Sequence, residues 1–290
     1  MSAWIEQRIT LSHHLTLTAQ IWGKPDAPPL LALHGWLDNA GSYALLAPLL
    51  AHRWRVIALE LPGHGHSSHL PAGINYHYVD YVSAVLAAAD ALQLEHYTLL
   101  GHSLGAGIAS LVAAAKPRSI EQLLVIEGLG PLGDDGSHTL QRFRDAFAAP
   151  AASSKSLRVF SDIDQAISAR TLASGLRADL ARPIVERGLA SVEGGYRWRS
   201  DPRLTRPSAA RLAESQIEAL LAGIETPTAL LLSNPATPYL PSALMQRRAG
   251  LLPRIAVTHM DGGHHLHLEH PQAVANWLLG NGGLKSMALT

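Results

Sequence analysis

Between Tyr97 and Lys116 the chain runs from an apolar stretch, through a tight turn, into an alanine-rich stretch. The turn reads Gly101-His102-Ser103-Leu104-Gly105. The apolar run Tyr97 to Leu100 reads as a strand, and Gly105 to Lys116 reads as a helix. In that setting a G-x-S-x-G match is the sharp strand-to-helix turn that lifts a serine hydroxyl clear of a sheet. Its glycines are required because a side chain at either position would collide with the neighbouring strand or helix. The helix behind it aims backbone N–H groups at whatever the hydroxyl attacks.

The rest of the chain repeats this alternation. Ile9 to Ile21 reads as one or two strands with a turn near His13-His14. Leu30 to Leu33 is a short strand ending in His34-Gly35, and Ala44 to Leu50 a short helix. Arg55 to Leu61 is a strand broken by Pro62-Gly63-His64-Gly65. From Tyr78, apolar residues recur at Val82, Val85, Ala89 and Leu92, the spacing of a helix with one buried face. Gln122 to Ile126 is a strand. Later come a strand at Thr228 to Leu232, a helix near Ser242 to Gly250, a strand at Arg254 to Met260 and a helix at Pro271 to Leu279. Strands alternating with helices predict an α/β fold with a mostly parallel central sheet covered on both faces. Chemistry in such sheets lies beyond the carboxyl ends of the strands. His34, Pro62, Ser103, Glu127, Asn234 and His264 all fall at such ends.

Residues 131–225 interrupt the pattern. No convincing strand run is found there. Helices are expected at Thr139–Ala149, Asp162–Leu172, Asp179–Val192 and Ser208–Ile224. The segment is too long for a plain loop. It reads as a helical cap over a core made of residues 1–130 and 226–290.

Composition narrows the function. Apolar residues are 47% of the 290, enough for a large buried core, and Lys+Arg equals Asp+Glu at 23 each. With no basic stripe or acidic tail, neither nucleic acid nor an anionic membrane is an expected partner. There is no cysteine, which excludes disulfides, zinc-thiolate sites and a thiol nucleophile. A reducing, cytoplasmic location is the default. No apolar leader or membrane span is seen. Six of the 16 histidines lie in short clusters, at His64 and His66 and at His264, His265, His267 and His270, without metal-ligand spacing, so no metal is expected.

A serine alcohol needs an adjacent base to act as a nucleophile. The loop after the last strand reads Asp261-Gly262-Gly263-His264-His265-Leu266-His267-Leu268-Glu269-His270. His264 directly follows the paired glycines and is the expected base, with His265 and His267 as competitors. His270 reads as a surface residue. The base needs an acid to hold its tautomer. The loop after Thr228–Leu232, Ser233-Asn234-Pro235-Ala236-Thr237-Pro238, contains no carboxylate. Glu127 ends the strand that follows the elbow helix, where burial demands a partner. Glu127 is the expected acid and Asp261 the alternative; Asp134 and Asp135 read as cap-loop residues. The oxyanion donors are expected to be the backbone N–H groups of Leu104 and Trp36. Asp38 and Asn39 are expected to order that loop by local hydrogen bonds.

These pieces together resemble the α/β-hydrolase superfamily. The matching segments are His34-Gly35-Trp36, Leu61-Pro62-Gly63-His64-Gly65-His66-Ser67, the Ser103 turn and Gly263-His264. The wording His34-Gly35-Trp36-Leu37-Asp38-Asn39-Ala40-Gly41-Ser42 and the segment Gly195-Tyr196-Arg197-Trp198-Arg199-Ser200-Asp201-Pro202 are similar to the serine hydrolase-like branch. The resemblance implies a cofactor-free serine hydrolase acting on small-molecule esters, with an acyltransferase, thioesterase, amidase or C–C bond hydrolase as alternatives. An idle binding module on the same fold is the reading from another class. Some relatives place a glutamate after the strand that carries Glu127, which supports it as the acid. A Ser rather than an Asp nucleophile argues against dehalogenase or epoxide hydrolase chemistry. Glu60 stands where relatives usually carry Asp, a change expected to be structural.

Overall fold

The computed structural model describes residues 4–11, 15–148, 158–280 and 282. The turn expected near His13-His14 lies outside these residues, as does Ala149. Among these residues ten strands and ten α-helices follow in chain order. The first part holds β1 (Ile5–Thr10), β2 (Thr16–Trp22), β3 (Pro29–Leu33), α1 (Ala47–Leu50), β4 (Arg55–Glu60), α2 (Tyr78–Ala91), β5 (Tyr97–His102), α3 (Leu104–Ala115) and β6 (Ile120–Ile126). Next come α4 (Thr139–Ala148), α5 (Ile163–Ser174), α6 (Ala178–Gly188), β7 (Leu189–Val192), β8 (Gly195–Trp198) and α7 (Glu214–Ala222). The chain ends with β9 (Thr228–Asn234), α8 (Ser242–Ala249), β10 (Ile255–Asp261), α9 (Leu266–Glu269) and α10 (Pro271–Leu279).

Eight strands form one sheet in the order β1-β2-β4-β3-β5-β6-β9-β10. β1 and β2 are antiparallel, β2 meets β4 antiparallel, and the remaining pairs are parallel. The side-chain period of two sorts each strand onto two faces. Leu31, Leu33, Leu99, Leu123 and Val125 face the layer of α2 and α3. Leu30, Ala32, Leu100, Leu124 and Ile126 face the layer that includes α10. Burial on both faces explains the nearly continuous apolar strands. β3 is flanked by β4 on one side and β5 on the other, so the chain reverses direction across the sheet there. That reversal opens a crevice at the carboxyl ends of β3 and β5.

Two expectations need correction. The region between β6 and β9 does contain strands. The helix expected over Asp179–Val192 ends at Gly188, and β7 pairs antiparallel with β8 in a hairpin. Its strands are four residues long, too short to display a period, and Gly194 and Gly195 both have positive φ at the turn. The helix expected from Ser208 begins only at Glu214. A shorter difference lies at Ala44 to Leu50, where a 3-10 turn at Ala40–Tyr43 precedes the four-residue α1. Within the segment, Phe160, Ile167, Ile184, Val185 and Leu189 form a small core that Leu268 of α9 joins. Ile217 and Leu221 of α7 instead join the main core. Among the described residues no helix is long and apolar enough to cross a membrane.

Candidate active site

β5 runs straight into α3 through Ser103, whose backbone is held at φ 53° and ψ −114°. A non-glycine residue in that region is strained and persists only where its surroundings enforce it. Here they do. The Ser103 N–H donates to the Ile126 carbonyl at 3.0 Å, and the Ser103 carbonyl accepts from Gly107 N at 3.1 Å. A Cβ on Gly101 would lie 2.4 Å from the Gly105 carbonyl oxygen, and one on Gly105 would lie 2.1 Å from that of Leu33. Both glycines are therefore steric requirements of the turn, as the sequence predicted.

Three side chains from three strand ends meet at this turn. The Ser103 hydroxyl lies 2.9 Å from His264 Nε2. His264 Nδ1 lies 3.0 Å from Glu127 Oε2. Glu127 is buried and follows β6 at a positive φ of 54°. Its Oε1 accepts from the Ser233 N–H, and the Thr237 hydroxyl stands 3.5 Å from Oε2. Asp261, the alternative acid, is exposed and accepts instead from the Asn234 amide at 2.7 Å.

The histidine loop is anchored at both ends. Gly262 has a φ of 149° and donates its N–H to the Asn234 carbonyl, while the Gly263 N–H donates to Glu269 at 2.7 Å. His265 and His267 point into the interior. His267 Nε2 lies 2.8 Å from the Ser42 hydroxyl, which donates to Asp38. His265 Nε2 stands 4.0 Å from Asp38. Burial, helped by the nearby His267 and His264, pushes the His265 imidazole down to about 2. Burial and the neighbouring His102 hold His267 well below its ordinary value. His102 is held low in the same way by burial and His264. His34 is neutral by its hydrogen bonds: its Nε2 accepts from the Leu61 N–H, so the proton sits on Nδ1 and goes to the Gly35 carbonyl. His270 is exposed at the start of α10.

The loop after β3 abuts the first turn of α3, because Gly105 packs on the carbonyls of Leu33 and His34. Leu104 opens α3, where an N–H has no intrahelical acceptor. Trp36 is half exposed and its indole N–H donates to the Leu204 carbonyl at 3.1 Å. Asn39 caps its own turn through Gly41 N, as expected, but also donates to the Ile184 carbonyl in α6 at 2.8 Å. Asp38 pairs with Arg170 of α5. Glu60, fully buried, forms a two-pronged ion pair with Arg187 of α6 at 2.7 and 3.0 Å and accepts from the His66 and Ala40 N–H groups. Its role is structural. These long-range partners were not visible in the sequence, since nothing local marks Arg170 or Arg187.

The chain belongs to the α/β-hydrolase fold family, whose model matches residues 28–271, and within it to the serine hydrolase-like branch. It is 30% identical to a serine hydrolase-like protein of Dictyostelium discoideum over 94% of this chain and 80% of that protein. It is 29% identical to one of Danio rerio over 90% of this chain and 83% of that protein. Among solved structures, a hypothetical protein of Pseudomonas aeruginosa PAO1 is 38% identical with a TM-score of 0.86, covering 95% of this chain and 98% of that one. The family model and the two serine hydrolase-like relatives mark the chain as a hydrolase.

Proposed function

We propose that this protein cleaves carboxylic esters through an acyl-enzyme on Ser103. The observation that carries the reading is the continuous chain of two hydrogen bonds, Ser103–His264–Glu127, at a strained turn that holds the serine in place. Ser103 Oγ attacks the acyl carbon and its proton passes to His264 Nε2. Glu127 holds Nδ1–H and stabilises the imidazolium that forms. The N–H groups of Leu104 and Trp36 receive the oxyanion. As the C–O bond breaks, His264 returns the proton to the leaving alkoxide. Water then attacks the acyl-serine as its proton passes to His264; the acyl–Oγ bond breaks, His264 returns that proton to Ser103 Oγ, and the acid leaves. No cofactor enters these steps.

In this reading residues 1–130 and 226–290 form the catalytic core, and residues 131–225 form a cap that bounds the substrate site. The contacts of Trp36 with Leu204, Asp38 with Arg170 and Glu60 with Arg187 support it, because they tie the segment to the loop after β3 and to the end of β4. The test is hydrolysis of p-nitrophenyl esters of graded acyl length by wild type, S103A and E127A. Loss of turnover with S103A and a steep fall with E127A is the expected result. Full activity in S103A would overturn it.

A further inference from the structure

Three aromatic rings pack against the imidazole of His264. His102 lies at a centroid distance of 4.9 Å, His265 at 5.2 Å and Tyr239 at 5.1 Å. His102 and His265 are buried, whereas Tyr239 is 49% exposed. Tyr239 is therefore the only one of the three that a substrate can touch. It meets the imidazole edge to face, at 75°.

The chemistry decides which part of the substrate arrives there. The leaving oxygen must take its proton from His264 Nε2, so the first atoms of the alcohol portion stand at the rim of this imidazole. With His102 and His265 buried, the Tyr239 ring is the one of the three left open to the alcohol portion. Of the two oxyanion donors, Leu104 opens α3 and the half-exposed Trp36 lies on the loop after β3.

Tyr239 is also held ready. It sits between Pro238 and Pro241 on the loop from β9 to α8, where fixed proline φ angles stiffen the backbone. The next residue, Leu240, is buried in the main core, and its N–H donates to the Thr237 carbonyl at 3.0 Å. One neighbour points in while Tyr239 points out. A pre-set ring loses little freedom when a ligand stacks on it.

We propose that Tyr239 forms the leaving-group subsite and selects esters of alcohols that carry an aromatic ring. The proposal rests on the ester reading above. Benzyl acetate and cyclohexylmethyl acetate test it. They share the acyl group and a six-membered ring on a primary alcohol, and the benzyl ester adds a flat π face, so the wild-type ratio is read against that of Y239L. An aromatic pair of this kind gives wild type a kcat/KM ratio of about 3- to 10-fold in favour of the benzyl ester. Y239F keeps that ratio, and Y239L, which retains apolar bulk, brings it to about one.

A ratio unchanged in Y239L, with both esters cleaved through Ser103, overturns the role of Tyr239 and leaves the ester reading standing. Wild type that shows no benzyl preference also overturns it. Turnover that persists in S103A, or a folded wild type that cleaves neither ester, overturns the ester reading and this subsite with it. Circular dichroism of each variant confirms that the comparison is made on folded protein.

Discussion

His102 Nε2 lies 2.9 Å from the backbone carbonyl of His264. A carbonyl only accepts, so His102 carries its proton on Nε2 and donates it. The residue beside Ser103 thus holds the backbone of His264, and one residue step at the end of β5 places both partners of the proposed proton transfer.

Removing that donor should misplace His264 without touching substrate. H102L is expected to lose about 10²-fold in kcat with little change in KM. H102Q, whose amide nitrogen reaches the Nε2 position, should recover most of the loss. Steady-state kinetics on one good ester separates the two. Equal rates in H102L and wild type would rule out a positioning role.

E127Q changes the hydrogen-bonding character at His264 Nδ1 while keeping shape. A fall in kcat of about 10³- to 10⁴-fold is expected, by the same logic that governs other Ser-His-acid sites. Stability should change little, since the Ser233 N–H still finds an oxygen. Kinetics with a parallel thermal melt distinguishes lost chemistry from lost fold.

Acid should unfold this protein early. Burial lowers His34, His102 and His267, takes His64 to about 3, and takes His265 to about 2. Above the ordinary value of 6.5 these groups are neutral in both states and add no pH dependence. Below it the unfolded chain binds protons that the folded chain refuses, so stability falls as pH drops from 6.5 towards the folded values. Each group contributes up to about 1.4 kcal/mol per pH unit in that window. Urea unfolding at pH 7.5, 6.5 and 5.5 should show a flat upper half and a steep lower half. A midpoint constant down to pH 5.5 would contradict this account.

The Glu60–Arg187 pair joins β4 to α6 with both side chains buried. R187A leaves a carboxylate without its counter-charge, at a cost of about 3–5 kcal/mol. The double variant E60Q/R187M should cost less than R187A alone. Denaturant midpoints for the three proteins test the ordering.

Much of the core fold was legible because its signals are local. Strand runs, helical spacing and the glycines around Ser103 each act within a few residues, and the α/β-hydrolase fold follows from their order. Ser103, His264 and Glu127, singled out for standing beyond strand ends, lie within hydrogen-bond reach of one another. What stayed hidden is non-local. The β7–β8 hairpin is too short to show alternation, and the partners Arg170, Arg187 and Ser233 sit far along the chain from what they bind. Tyr239 carried no signal either, as its meaning depends on a histidine on another strand's loop.

Glu127 and Ser103 both belong to one contiguous β5–α3–β6 unit, while His264 arrives from the far edge of the sheet. Two of the three residues proposed to relay the proton therefore travel together whenever chain segments are exchanged between relatives. A chimera that swaps residues 97–127 as a block would carry serine and acid across in register. The loop after β9 supplies no carboxylate of its own, yet the strand end leading into it stays tied to that block through the Ser233 N–H, which donates to Glu127.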